Sequence, residues 1–139
     1  MVQSKHRWLL EYDSDNEVYT ESTTSDKLIA RDLARFDNEH TFYCALFDNT
    51  DEACLWCFGE PDHRFIEIRF EAGHAVLRHK NTTNRECKVQ HSPSKSDTQL
   101  ILGAEIMTYD DALEIFLSFF HERKIPDRFS YTPKAYLMA

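Results

Sequence analysis

The stretch from Thr108 to Pro126 constrains this chain more than any other. Thr108 followed three residues later by Asp111 has the form of a capping box, with Asp in place of Glu or Gln. Asp110 and Asp111 fall in the first turn, where the helix dipole favours negative charge. Tyr109, Ala112, Leu113, Phe116, Leu117 and Phe120 recur on one helical face, and Ile115 and Phe119 widen it beyond a narrow seam. Arg123 and Lys124 complement the C-terminal dipole, and Pro126 biases Ile125 away from helical geometry, so the helix is expected to stop near Lys124. So wide an apolar face must be covered by something large, and the helix is too short to span a membrane.

The remaining periodicities name what covers it. Arg7 to Tyr12 and Glu17 to Thr20 read as two short strands around the turn-forming run Asp13-Ser14-Asp15-Asn16, the second arm suited to a sheet edge. Thr23, Thr24 and Ser25 offer N-caps for a first helix over about residues 26 to 36, with Leu28, Ile29, Leu33 and Phe36 as its apolar stripe. Thr41 to Phe47 and Ala53 to Phe58 are apolar on both faces, as in strands covered on two sides. Phe65 to Phe70 alternates, with one face buried and one wet. His74 to His79, Glu86 to Gln90 and Gln99 to Ala104 are weaker strands. The turns Asp48–Glu52, Gly59–Arg64 and Glu71–Gly73 are too short for parallel crossovers and predict an antiparallel meander. The expected fold is one α+β domain over residues 1–139, an antiparallel sheet of about five or six strands packed against two helices, the C-terminal one long and apolar.

Charge is the most informative compositional fact. Within a net charge of −8, residues 1–62 hold five Lys/Arg against fourteen Asp/Glu, a net of −9. Phosphate binding needs concentrated Lys and Arg, so direct nucleic-acid binding is not expected and a basic partner is the better electrostatic match. The basic stretch Arg78, Lys80, Arg85, Lys88 and Lys95 reads as a solvated face. After Lys5, His6 and Arg7 only Trp8, Leu9 and Leu10 precede Glu11, so no signal-peptide apolar segment is expected, no membrane association, and a cytoplasmic location. Reduced thiols are then expected at Cys44, Cys54, Cys57 and Cys87.

No catalytic motif emerges. Cys54 and Cys57 lie three apart on an expected strand, so their thiols point to opposite faces and no metal is expected there. The seven histidines form no metal-binding spacing, and the isolated Gly59, Gly73 and Gly103 build no phosphate loop, so no cofactor is expected. Three acidic groups stand out instead. Asp13, Asp15 and Glu17 occupy one turn region, Asp48, Asp51 and Glu52 a second, and Glu60 and Asp62 a third. Asp13, Asp15, Asp51, Glu52, Glu60 and Asp62 are expected to lie in exposed turns, and the Asp48 to Asp62 region is favoured as a binding surface because it flanks the most apolar strand.

The segment TYDDALEIFLSFF at 108–120, with Lys124-Ile125-Pro126 and Phe129-Ser130-Tyr131, resembles the C-terminal part of bacterial immunity proteins of family one. These are small cytoplasmic inhibitors paired with polymorphic or contact-dependent toxins. Tyr131 stands where that family usually carries tryptophan, and its Ser-x-Gly element is not visible here. The resemblance covers roughly residues 25 to 131. It implies a small inhibitor that binds a cognate toxin domain. Together with the acidic first half and the absent catalytic motifs, the expectation is a non-enzymatic protein, a monomer, that occludes the active site of a cationic nuclease or deaminase with its acidic surface. The family has no catalytic motif to transfer, and its toxin contacts vary between members. Competing classes are a small enzyme using Cys57 or a histidine with a carboxylate, and an adaptor domain for a neutral partner.

Overall fold

Two adjacent residues at positive φ, Asp15 (54°) and Asn16 (67°), begin the sheet. Both residue types tolerate this geometry, and a two-residue turn of this kind matches the twist of the strands it joins. It links β1 (Trp8–Ser14) to β2 (Glu17–Glu21), with Ser14 opposite Glu17 and Tyr12 opposite Tyr19. The computed structural model describes residues 7–22, 24–70, 73–80 and 86–133. Lys5, His6, Thr23, Arg85 and the Glu71 end of the expected Glu71–Gly73 turn lie outside the described residues.

Helix α1 (Asp26–Leu33) starts at Ser25, whose Oγ accepts from Leu28 N at 3.2 Å. It stops short of the expected residue 36. The Asp37 carboxylate accepts from the backbone N–H groups of Glu39, His40 and Thr41, which offers the chain a turn in place of further helix. A meander follows: β3 (Tyr43–Asp48), β4 (Ala53–Glu60), β5 (His63–Phe70) and β6 (Gly73–His79). The hairpin β7 (Glu86–Gln90) and β8 (Thr98–Leu102) forms a separate two-stranded sheet. Helix α2 (Tyr109–Glu122) carries the capping box in full, Thr108 Oγ1 accepting from Asp111 N and Asp111 Oδ2 from Thr108 N. Arg123 at φ 57° ends it in left-handed geometry. The last strand, β9 (Phe129–Pro133), pairs with β6.

Among the described residues the main sheet has seven antiparallel strands in the order β2-β1-β3-β4-β5-β6-β9, not five or six. β9 was not expected, and β7 and β8 leave the sheet they were expected to join. Both helices lie on one face. Leu10, Leu46, Leu55, Ile66, Ile68 and Leu77 point into a core closed by Ile29 and Leu33 of α1 and Ala112, Ile115, Phe116 and Phe119 of α2. Trp8 packs edge-on against Phe119 and Phe120 at 5.6 and 5.3 Å between ring centroids. Among the described residues no helix is long and apolar enough to cross a membrane.

Candidate functional site

Strand alternation sends every second residue of the sheet to the face away from the helices. Register places Glu11, Ala45, Trp56, Glu67 and Val76 in one row across β1, β3, β4, β5 and β6. Tyr43, Phe58 and Phe65 form a second row, with ring centroids 5.3 Å apart at each step. The β7–β8 hairpin covers only one corner of this face, through Val89 and Ile101 against Phe65 and Phe58. Gly59, at φ 125°, lets the hairpin seat: a Cβ there would stand 2.8 Å from Val89 Cγ1 and 2.5 Å from His63 O. β3 and β4 were expected to be covered on both sides. Instead Trp56, Phe58, Tyr43 and Phe47 remain half-buried on the helix-free face, above the fully buried Ala45 and Cys54.

The polar groups among these rings hold them in place. Tyr43 Oη donates to Glu11 Oε1 at 3.0 Å, and Thr20 Oγ1 donates to Glu11 Oε2 at 3.2 Å. Burial, the Glu11 charge and this hydrogen bond push the Tyr43 hydroxyl far above its ordinary pKa, so it stays a donor. Arg69 lies over the Trp56 ring at 5.7 Å, and His74 meets its edge at 5.0 Å. Preset aromatic side chains of this kind lose little conformational freedom on contact, which suits a binding surface.

The three acidic groups separate. The β1–β2 turn and the β4–β5 turn lie at the same end of the sheet, with β1 and β4 two strand spacings apart, roughly 10 Å. The β3–β4 turn lies at the opposite end of the eight-residue β4, roughly 23 Å away. The favoured Asp48 to Asp62 region is therefore two patches, not one. Asp15, Glu17, Asp62, Asp51 and Glu52 are exposed. Asp15 pairs with His40, and its hydrogen bond raises the pKa of that imidazole. Tyr19 Oη donates to Glu17 at 3.1 Å. Glu60 is half-buried and accepts from Gln90 N at 3.0 Å, pinning the β7–β8 hairpin.

Asp13 is structural, contrary to the expectation of an exposed turn, and so is Asp48, which was grouped with the candidate binding carboxylates. Asp13 Oδ1 accepts from the backbone N–H groups of Phe42 and Tyr43, and burial raises its pKa despite these bonds. The Asp48 side chain is 0% exposed and takes Arg7, Arg123 and both Thr50 donors. Burial alone would raise its pKa; the Arg7 and Thr50 hydrogen bonds and the Arg123 charge outweigh this and hold it at about 2, below the ordinary 3.8. Its contribution to stability is therefore present above about pH 3.8 and lost as pH falls through about 2. Asp48→Asn should remove about 2 kcal/mol of the wild-type dependence between about pH 4 and pH 1.5. Denaturant unfolding at stepped pH measures it, and parallel curves for the two proteins would refute the assignment.

Cys57 faces the helices directly opposite Cys44, whereas Cys54 faces the other side. Burial pushes the Cys54 and Cys57 thiols up to about 11 and Cys44 well above its ordinary value, which suppresses the thiolate that nucleophilic attack or metal binding requires. Elemental analysis of protein purified without chelator should find no stoichiometric zinc. Among the described residues, no three His, Cys, Asp or Glu side chains converge as a metal site.

The sequence reading missed the rings of the helix-free face. A signal was present: Glu11, Glu67 and Arg69 share the facing of Trp56, so charged neighbours on both sides mark that face as wet. Searched against protein-family models the chain matches none, and no curated protein matches it.

Proposed function

We propose that this protein is a non-enzymatic, monomeric inhibitor of the immunity type, which binds a cationic toxin domain, a nuclease or deaminase, and occludes its active site. The observation that carries this reading is the helix-free sheet face, where half-buried Trp56, Tyr43 and Phe58 lie toward the end of the sheet at which the exposed Asp15, Glu17 and Asp62 stand. Aromatic anchors within a charged rim are the usual anatomy of a protein interface. The rim would steer a basic partner, and the rings would hold it once docked. In this reading the long, apolar C-terminal helix is scaffold that closes the other face, and the protein acts in the cytoplasm. The high pKa values of the buried thiols weigh against the enzyme alternative.

Co-purification with the product of the gene immediately upstream tests the reading. A product that is no toxin, together with no captured partner, would sink it. Charge removal and reversal locate the surface. Asp15→Asn, which keeps a residue type suited to the positive φ of the turn, and Glu17→Lys and Asp62→Lys should each change stability by no more than about 0.5 kcal/mol. Combined, they should slow association by about tenfold or more, an effect that shrinks with added salt. Glu52→Lys, at the far end of β4, should bind like wild type. Wild-type association by the folded triple variant would remove the acidic rim from the mechanism.

A further inference from the structure

Among the described residues β2 is an edge strand paired only with β1, and its outer side carries no other strand of the sheet. The two-residue turn sets which backbone groups it leaves over. Ser14 and Glu17 flank the turn as a hydrogen-bonded pair, so Tyr12 with Tyr19 and Leu10 with Glu21 are hydrogen-bonded as well. Val18 and Thr20 occupy the alternate positions, and their N–H and C=O groups point away from β1. Four backbone groups in register are thus offered at the edge.

Natural edge strands are commonly blunted by lysine, proline or a bulge. β2 has none of these: its sequence is Glu-Val-Tyr-Thr-Glu in unbroken register with β1, and Val18 is 59% exposed. From residue 8 to residue 26 the chain has six Asp and Glu and no Lys or Arg. Arg31 of α1 pairs with Glu21, and His40 stands against Asp15. Glu17 and Glu11 accept instead from hydroxyl donors, Glu17 from Tyr19 and Glu11 from Thr20 and Tyr43.

We infer that the free edge of β2 takes an extended basic segment of a protein partner as an eighth strand of the sheet. This rests on the reading of the chain as a protein-binding module and names the form of the contact. Backbone hydrogen bonds to Val18 and Thr20 supply the pairing. Side chains of the added strand that fall beside Glu17 and Glu21 are basic, and those beside Val18 and Thr20 are apolar or β-branched. A second copy of this chain is the wrong occupant. Antiparallel self-pairing centred on Tyr19 sets Glu17 directly opposite Glu21 twice, and like charges so placed repel.

The probe is the peptide acetyl-Lys-Val-Lys-Thr-Lys-Val-Lys-amide, with its Glu-for-Lys counterpart as control, added to the intact protein. Amide exchange followed by NMR should show Val18 and Thr20 protected by the basic peptide and unchanged by the acidic one. Val18→Pro removes one outward N–H without touching the β1 pairing and should weaken peptide binding about tenfold; Val18→Thr should retain it. If Val18→Pro fails to fold, the exchange pattern of the wild-type protein decides. Protection centred on Trp56, equal effects of both peptides, or dimerisation by sedimentation through β2 would each overturn the inference. No toxin enters this experiment, so its failure leaves the inhibitor reading standing, and absence of a toxin partner leaves this result standing.

Discussion

Phe116→Ala is expected to destabilise the protein by about 3–5 kcal/mol, enough to threaten a domain of ordinary stability. Phe116 is 0% exposed, and on α2 it lies among Ala112, Ile115 and Phe119, which close the core over the sheet. Truncation removes the transfer energy of the ring and leaves a cavity that α2 cannot collapse into, because its two ends are fixed. The capping box at Thr108 holds one end, and Arg123, bonded to Asp48 and Asp51, holds the other. Urea unfolding should show a lower midpoint with an unchanged slope. A loss under about 1 kcal/mol would mean that the helix is not the seal described. Any defect in partner binding by this variant should vanish when the folded fraction is accounted for.

Arg64→Ala is expected to cost a comparable amount, about 3–5 kcal/mol, for a different reason. Arg64 is 2% exposed, and two backbone carbonyls accept from its guanidinium. Nη1 donates to Leu33 O at 2.7 Å, at the C-terminal end of α1, and Nε donates to Pro61 O at 2.9 Å. Phe36 and Tyr109 stack on the guanidinium at 4.2 and 5.3 Å. The cation thus sits at the negative end of the helix dipole, between aromatic faces. Removing it orphans two carbonyls and opens a void where α1, β5 and the start of α2 meet. Arg64→Lys should recover only part of the loss, since an ammonium cannot serve both carbonyls and stack as a plane does. Full stability of Arg64→Ala by calorimetry would refute this account.

The two residues show where sequence reading succeeds and where it stops. Phe116 was legible because its burial follows from the helix's own periodicity. Arg64 was not: it ends a predicted turn before an alternating strand, and nothing local says that its side chain will reach α1. The same contrast separates the carboxylates. Asp15, Glu17 and Asp62 are exposed because turns of polar residues face water. Asp48 was grouped with them as a candidate binding residue, but Arg7 and Arg123 reach it from 41 and 75 residues away and bury it. β9 escaped notice because Pro133 ends a short segment soon after Pro126. Proline is tolerated on an edge, which is where β9 lies, but no local feature announces which edge is open.

What the chain determined by itself is what depends on near neighbours. The capping box and left-handed exit bound α2, the Asp15-Asn16 turn fixes the register of β1 against β2, and alternation sets which residues of each strand share a face. These are effects of a few bonds, acting within one turn or one strand pair. Only the tertiary structure decided that both helices take the same face, that the β7–β8 hairpin shields just the Phe65 corner, and that Trp56 and Tyr43 stay half open. It also carried the β3–β4 carboxylates to the far end of the sheet from those of the other two turns. An apolar strand reads alike whether its second face meets a helix or water. Which it meets depends on how many strands the sheet gains and where the connections cross, and that is settled by burial summed over the whole core.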